Sequence, residues 1–124
     1  MTMSDRASLT VLVTDDDESM LELASAILQR AGYQILTARD GSEAMAALHE
    51  NPGIALLFTD IKMPGIDGFM LADMAKVSHP DLKVLYATGF GDEVRTKPGV
   101  RHGKILNKPY GPQQLREEVR LLLE

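Results

Sequence analysis

The run Ile54-Ala55-Leu56-Leu57-Phe58-Thr59 is apolar almost from end to end and stops at Asp60. A short continuous apolar run is typical of a strand that is covered on both faces, as in the parallel sheets of α/β proteins. Three more short runs also end on a polar or charged side chain: residues 11–14 before Asp15, 83–87 before Thr88, and 104–107 before Lys108. The four runs therefore predict strands of one parallel sheet.

Stretches with helical spacing separate these runs. Apolar residues recur with a helical period over residues 20–31 and 67–77, residues 41–50 form an alanine-rich helix pattern, and a last helix is predicted from about Pro112. Residues 33–38 read as a further strand. Strands that alternate with helices predict βαβ units and an α/β fold.

The stretch between Thr88 and Lys108 does not fit this alternation. Within residues 89–99, two glycines open the segment, Pro98-Gly99 interrupts it, and only Val94 is expected to anchor a helix to the core. In a helix interior, glycine costs roughly 1 kcal/mol and proline roughly 3 kcal/mol. The sequence predicts one helical turn at most here, or a mobile loop.

Composition and charge narrow the class of protein. The chain has 124 residues, no cysteine, 44% hydrophobic residues and a formal net charge of −5. The length and the hydrophobic content predict one globular domain over residues 9–124 after a flexible segment at 1–8. The lack of cysteine excludes disulfides and thiolate metal sites. No basic stripe, secretory signal or long apolar span is visible, so we expect a soluble, cytoplasmic protein that binds neither nucleic acid nor membrane.

The polar strand endings predict one shared site. The carboxyl ends of parallel strands lie at one edge of the sheet, where open α/β sheets bind ligands. Aspartates that meet there need a proton or a cation, because two unit charges 4 Å apart repel by about 4 kcal/mol at an effective dielectric near 20. A set of oxygen ligands favours Mg²⁺, with Mn²⁺ as a substitute.

These residue types favour phosphoryl chemistry. Aspartate is a known covalent acceptor of phosphoryl groups, which makes Asp60 the candidate nucleophile. Lys108 would offset charge on the phosphoryl oxygens, and the Thr88 hydroxyl would donate to one of them. Asp17 is predicted to be a helix N-cap or a solvent-exposed residue rather than a metal ligand.

Four segments resemble the receiver domain of two-component response regulators, the CheY-like family. They are residues 11–16, residues 60–68, Thr88-Gly89 and Lys108-Pro109-Tyr110, and the resemblance runs from Leu9 to the C-terminus. It implies a flavodoxin-like three-layer α/β sandwich with a five-stranded parallel sheet of order 2-1-3-4-5, helices on both faces, and a fourth helix that is short or absent.

The resemblance also implies a function. Asp60 would be phosphorylated from a phosphohistidine on a sensor histidine kinase or a phosphotransfer protein, and a conformational change would signal to a downstream protein. Asp16, Asp60 and the backbone carbonyl of Lys62 would hold Mg²⁺, with Asp15 assisting through a metal-bound water. Lys108 and Thr88 would contact the phosphoryl group. Such a protein is a reversible signalling switch rather than a turnover enzyme.

Two features depart from the common family pattern. Ile105 stands where many members carry an aromatic switch residue, and residues 86–91 resemble a subgroup of stand-alone receivers with a degenerate fourth helix. We expect residues 89–103, which follow Thr88 directly, to become ordered on phosphorylation. The kinase, the target and the oligomeric state stay open.

Three alternatives compete with this interpretation. A haloacid-dehalogenase-like phosphohydrolase would use Asp15 as the acceptor. A pseudo-receiver would bind partners without phosphorylation. A receiver excised from a hybrid kinase or a larger regulator would keep the same chemistry in another context.

Overall fold

Ten secondary-structure elements make up the parts of the chain that the computed structural model describes, residues 2–89 and 103–124, without the side chains of residues 3 and 4. In chain order they are α1 (Met3–Arg6), β1 (Thr10–Thr14), α2 (Glu18–Arg30), β2 (Gln34–Ala38), α3 (Gly41–Glu50), β3 (Ile54–Asp60), α4 (Gly68–Ser78), β4 (Lys83–Thr88), β5 (Gly103–Asn107) and α5 (Pro112–Leu123).

The five strands form one parallel sheet in the order β2-β1-β3-β4-β5. This confirms the predicted topology, including the reversal of strand order beside β1. Strands β3 and β4 each extend one residue beyond their predicted runs, because Asp60 pairs with Ala87 and Thr88 pairs with Asn107. Two of the candidate site residues therefore belong to the strands themselves and have fixed backbones.

The sheet separates two apolar cores, so the helices lie on both of its faces as predicted. On one face, α2 and α5 pack over Val11, Val13 and Phe58. On the other, α3 and α4 pack over Leu12 and Leu57. Neighbouring β1 residues thus point to opposite faces, as the pleat of a strand requires.

A third, smaller cluster lies beside α4. Its buried members are Ile61, Ala72, Val84 and Tyr86, and the half-buried Phe69 and Ile105 pack against it. The rings of Phe69 and Tyr86 are 5.0 Å apart, centre to centre. Ile105 lies directly opposite Tyr86 in the β4–β5 ladder, so the position of the expected switch aromatic contributes an aliphatic side chain to this cluster.

Aspartates begin three of the helices. Asp17, as predicted, caps α2 by accepting hydrogen bonds from the backbone N–H groups of Ser19 and Met20 at 2.9 and 3.3 Å. Asp40 and Asp67 cap α3 and α4 in the same way. These side chains satisfy helix N–H groups that would otherwise lack partners.

Three sequence predictions concern the ends of the chain, its connecting segment after β4, and membrane spans. The fourth helix and the ordering of residues 89–103 fall almost entirely on residues 90–102, outside the described residues. The flexibility of residues 1–8 stays a prediction, although Met3–Arg6 forms one helical turn there. Among the helices that the structure describes, none is long and apolar enough to cross a membrane.

Candidate functional site

The carboxyl ends of β1 and β3 bring three aspartates together. One carboxylate oxygen each from Asp15, Asp16 and Asp60 lies within 4.8 Å of the others. Asp15 is buried, Asp60 is half-buried and Asp16 is exposed, so the cluster opens to solvent on one side. A small ligand therefore has access to the buried carboxylates past Asp16.

Backbone hydrogen bonds hold the first of these side chains. The N–H of Asp15 donates to the carbonyl of Ala38 at 3.2 Å, which extends the β1–β2 ladder to the site. The N–H of Asp17 donates to Oδ1 of Asp15 at 2.9 Å. The first bond fixes the backbone of Asp15 and the second orients its carboxylate.

Asp60 is held by the two strands around it. The N–H of Ile61 donates to the carbonyl of Ala87 at 3.1 Å, so the β3–β4 pairing continues past Asp60. On its other side, the Thr59 hydroxyl donates to the Asp60 carbonyl at 2.9 Å. The backbone of the candidate acceptor is therefore fixed on both sides.

Lys108 reaches the carboxylates of both Asp15 and Asp60. Its Nζ lies 3.2 Å from Oδ1 of Asp60 and 3.3 Å from Oδ2 of Asp15. The Lys108 N–H donates to the carbonyl of Thr88 at 2.8 Å, which ties the start of the lysine to the end of β4, and the peptide bond to Pro109 is cis. The structure thus brings together the acids and the amine singled out in the sequence.

The charges of the cluster do not balance. Burial raises the pKa of Asp15 and of Asp60, and this effect outweighs the opposing attraction of the Lys108 ammonium. Burial lowers the pKa of Lys108, but the two carboxylates beside it raise that pKa by more. One ammonium faces three acids, so further positive charge would stabilise the ionised site.

This imbalance and the donor set fit a hard divalent cation. All three side chains offer carboxylate oxygens, which are ligands that Mg²⁺ accepts, and Mg²⁺ commonly keeps water in its remaining positions. The exposed face at Asp16 leaves room for such waters. Lys62, whose carbonyl was predicted as a further ligand, lies in the loop between β3 and α4 with its side chain exposed.

Thr88 lies at the same edge of the sheet. It is the last residue of β4, it is 2% exposed, and it directly follows Ala87, the pairing partner of Asp60. The predicted strand that ends at Thr88 is β4, which pairs with β3, the strand that carries Asp60.

Tyr110 contributes to the site in a way that the sequence analysis missed. Its ring packs edge-on against Phe58, with ring centres 5.8 Å apart. Burial and the negative charges of Asp15 and Asp60 raise the pKa of Tyr110 to about 12. The tyrosine was visible in the Lys108-Pro109-Tyr110 motif, but the motif alone does not show that its ring is buried against Phe58 and close enough to Asp15 and Asp60 to sense their charge.

Gly68 is the second residue that the analysis missed. A Cβ atom at this position would lie 2.5 Å from the Asp60 carbonyl oxygen and 2.8 Å from the Ile61 Cα. The Gly68 N–H donates to the Ile61 carbonyl at 2.7 Å. Only glycine allows α4 to begin this close to the end of β3.

A family model described as the response regulator receiver domain matches residues 11–120 of this chain. The chain belongs to this family. The receiver is 36% identical over 116 residues to the response regulator receiver protein CpdR of Brucella abortus, covering 91% of this chain and 95% of CpdR. It is also 30% identical over 120 residues to the sensor kinase CckA of the same organism, covering 94% of this chain but 13% of CckA.

A solved structure supports the same assignment. The response regulator protein TrrA from Thermotoga maritima, in complex with Mg²⁺ and BeF, has a TM-score of 0.86 and 30% identity, covering 93% of this receiver and 99% of TrrA. The sheet order and the cluster of three aspartates are those that the resemblance to receiver domains implied. Because the family model matches residues 11–120, the receiver interpretation replaces the haloacid-dehalogenase alternative.

Proposed function

We propose that this receiver accepts a phosphoryl group on Asp60 and signals to a protein partner through the conformational change that follows. The observation that carries the proposal is the Lys108 ammonium 3.2 Å from the Asp60 carboxylate within a cluster of acids. Asp60 has its backbone fixed and its side chain only half-buried, as an accessible nucleophile requires.

The phosphoryl donor is the phosphohistidine of a sensor histidine kinase or a phosphotransfer protein. An Asp60 carboxylate oxygen forms the new bond to phosphorus while the P–N bond breaks, and the electron pair returns to the imidazole, which takes up a proton. Lys108 offsets charge on the phosphoryl oxygens, and the Thr88 hydroxyl donates to one of them. Attack by water on phosphorus later breaks the bond to Asp60 and releases inorganic phosphate.

Mg²⁺ is the proposed cofactor, with Mn²⁺ as a substitute. Asp16, Asp60 and the backbone carbonyl of Lys62 are the proposed ligands, and Asp15 acts through a bound water. The cation supplies positive charge against the carboxylates and the incoming phosphoryl oxygens. The raised pKa values of Asp15 and Asp60 and the structure of TrrA in complex with Mg²⁺ and BeF support this assignment.

The phosphorylated state adds roughly −1.5 to −2 charges at the sheet edge. Thr88, the last residue of β4, passes this conformational change to the segment that follows the strand. We propose that the receiver works as a cytoplasmic switch that docks on protein partners, rather than as a turnover enzyme or a nucleic-acid-binding protein. The net charge of −5 supports the last point.

Incubation with acetyl phosphate and Mg²⁺, followed by intact-mass measurement, tests the proposal. We expect the wild type to gain the mass of one phosphoryl group and Asp60→Asn to gain none. Asp81→Asn, which changes an exposed loop aspartate, is the matched control and keeps the modification. An unmodified wild type would favour the pseudo-receiver alternative, and modification of Asp60→Asn would assign the acceptor role to another acid.

A further inference from the structure

Strand β2 lies at one edge of the sheet. Among the strands that the structure describes, it pairs with β1 alone. The N–H of Gln34, the first residue of β2, donates to the Leu9 carbonyl at 3.0 Å. The carbonyl of Ala38, the last residue, accepts from the N–H of Asp15 at 3.2 Å. Residues 34 and 38 therefore direct these backbone groups toward β1.

Two residues of β2 direct their backbone groups to the open side of the strand. Because the direction of the N–H and C=O groups alternates along a strand, those of Ile35 and Thr37 point away from β1. No residue that the structure describes forms a hydrogen bond with these four groups. An added strand would therefore find two backbone donors and two backbone acceptors.

The sequence of β2 lacks the usual protection of an edge strand. Edge strands are commonly protected by a charged residue, a proline or a bulge. Gln34–Ala38 contains no charged residue and no proline, and its pairing with β1 is regular. By contrast β5, at the other end of the sheet, carries Lys104. The side chains of Ile35 and Leu36 pack against the two apolar cores, which holds β2 in its extended form.

A groove of about 420 Å³ lies beside the start of β2. It is lined by residues 34–36 of β2, by residues near the start of β1 and by the turn that joins α3 to β3. Of the described residues that line this groove, Glu50 is the one that carries a charge, and it is exposed. The groove therefore places a negative charge beside the open edge.

An exposed acid also lies near the other end of the strand. Arg39 directly follows β2, and its guanidinium is paired with Glu18 at 3.2 Å, so its positive charge is offset. The backbone N–H of Arg39 donates to Oε1 of Glu43 at 3.1 Å, and Glu43 is exposed. With Glu43 at one end and Glu50 at the other, the edge favours a partner strand that carries positive charge.

We propose that β2 binds an extended segment of a partner protein as a sixth strand, and that this segment carries lysine or arginine. Backbone hydrogen bonds to Ile35 and Thr37 supply affinity, and a basic side chain in the groove pairs with Glu50. A second copy of this chain fits less well, because residues 34–38 offer no cation to Glu50. This inference goes beyond the proposed function and does not depend on it.

A fluorescein-labelled octapeptide of alternating lysine and valine, capped at both ends, tests the edge. Fluorescence anisotropy at low salt should give a Kd on the order of 0.1 mM, unchanged in Asp60→Asn. An analogue that is methylated at every backbone nitrogen cannot form the strand hydrogen bonds, so we expect it to bind about tenfold more weakly. A glutamate–valine octapeptide should also bind about tenfold more weakly, because it meets like charges at the edge.

Variants of the receiver test the same contacts from the other side. Thr37→Pro removes an outward N–H, and proline is tolerated on an edge strand where its nitrogen faces solvent. We expect this variant to bind the lysine–valine peptide about tenfold more weakly, whereas the control Thr37→Val stays within about twofold. Glu50→Gln should weaken binding by about threefold at low salt. Asp81→Asn is its control, because Asp81 precedes β4 and does not line the groove.

Equal Kd values for the lysine–valine peptide and its methylated analogue would overturn the proposal. Tighter binding of the glutamate peptide would reject a basic partner. If Thr37→Pro does not fold, the methylated analogue tests the same hydrogen bonds on the wild type. Dimerisation of the receiver in analytical ultracentrifugation, abolished by Thr37→Lys, would assign the edge to a second copy instead.

Discussion

Lys108 Nζ lies 3.2 Å from Oδ1 of Asp60, although the two residues belong to strand ends on either side of β4. The same ammonium lies 3.3 Å from Asp15, so one cation holds two buried carboxylates that repel each other. Removing it would affect both the charge of the acceptor and the stabilisation of an incoming phosphoryl group.

Lys108→Met should slow phosphorylation from acetyl phosphate by about 10²-fold, the effect of losing one preorganised donor to a developing oxyanion. The substitution keeps an apolar stem, so we expect the fold to persist. Time-resolved intact-mass measurement gives the rate. Lys104→Met is the control, since the side chain of Lys104 is 56% exposed and forms an ion pair with Glu118 at 3.9 Å, away from the acidic cluster. Equal rates in the two variants would remove Lys108 from the reaction.

Asp60→Asn should raise the free energy of unfolding at neutral pH when Mg²⁺ is absent. Because the pKa of Asp60 in the folded state is raised, its contribution to stability is present below its unfolded value of 3.8 and is lost as pH rises through the folded pKa. Lys108 keeps Asp15 as a partner in the variant. A gain of 1 kcal/mol would raise the Tm by roughly 4 °C. A lower Tm for the variant would contradict the charge argument.

Mg²⁺ should stabilise the wild type by about 1.4 kcal/mol at a concentration of ten times its Kd, and EDTA should reverse the effect. Thermal denaturation measures the shift. Asp16→Asn is expected to lose most of it, whereas Asp81→Asn keeps it.

The same Mg²⁺ effect should weaken as pH is lowered. The raised pKa values of Asp15 and Asp60 mean that protons begin to compete with the cation above the ordinary range of aspartate. Titration of the Tm shift against pH tests this, and a shift that stays independent of pH down to 3.8, the ordinary pKa of aspartate, would contradict it.

Tyr110 should ionise about two pH units later than a free tyrosine, since its pKa is raised to about 12 from 10.0. Its contribution to stability is present below pH 10 and is lost as pH rises toward 12. Absorbance titration of the phenolate band measures this. Tyr110→Phe should remove the latest-titrating component, and a wild type whose tyrosines all ionise near pH 10 would show that the ring is not shielded.

Gly68→Ala should destabilise the fold by about 1–3 kcal/mol, because the new Cβ meets backbone atoms that cannot move aside. Gly53→Ala is the matched control, with nothing within 4 Å of its Cβ position. Chemical denaturation gives both values. Similar stabilities for the two variants would show that α4 can retreat from β3 at little cost.

The sequence predicted the strands and the shared edge because apolar runs and polar endings are local signals. It placed Asp15, Asp60 and Lys108 at one edge, and the sheet order then brought them into contact. It ended β3 and β4 one residue early because Asp60 and Thr88 are polar, although ladder pairing continues through both.

Other features had no local signal. The depth of Tyr110 depends on how α5 packs on the sheet, and the contact at Gly68 depends on the distance between two backbones. Such features follow from tertiary packing, and local patterns in the sequence do not predict it.

The closeness of Gly68 to the acceptor strand has a mechanical consequence. With the Gly68 N–H bonded to Ile61 at 2.7 Å and no space there for even a methyl group, the start of α4 and the end of β3 form one rigid piece. A displacement of the Asp60 backbone would therefore move α4 as a unit. The exposed residues Met70, Met74 and Val77 lie on that helix and would change position with it.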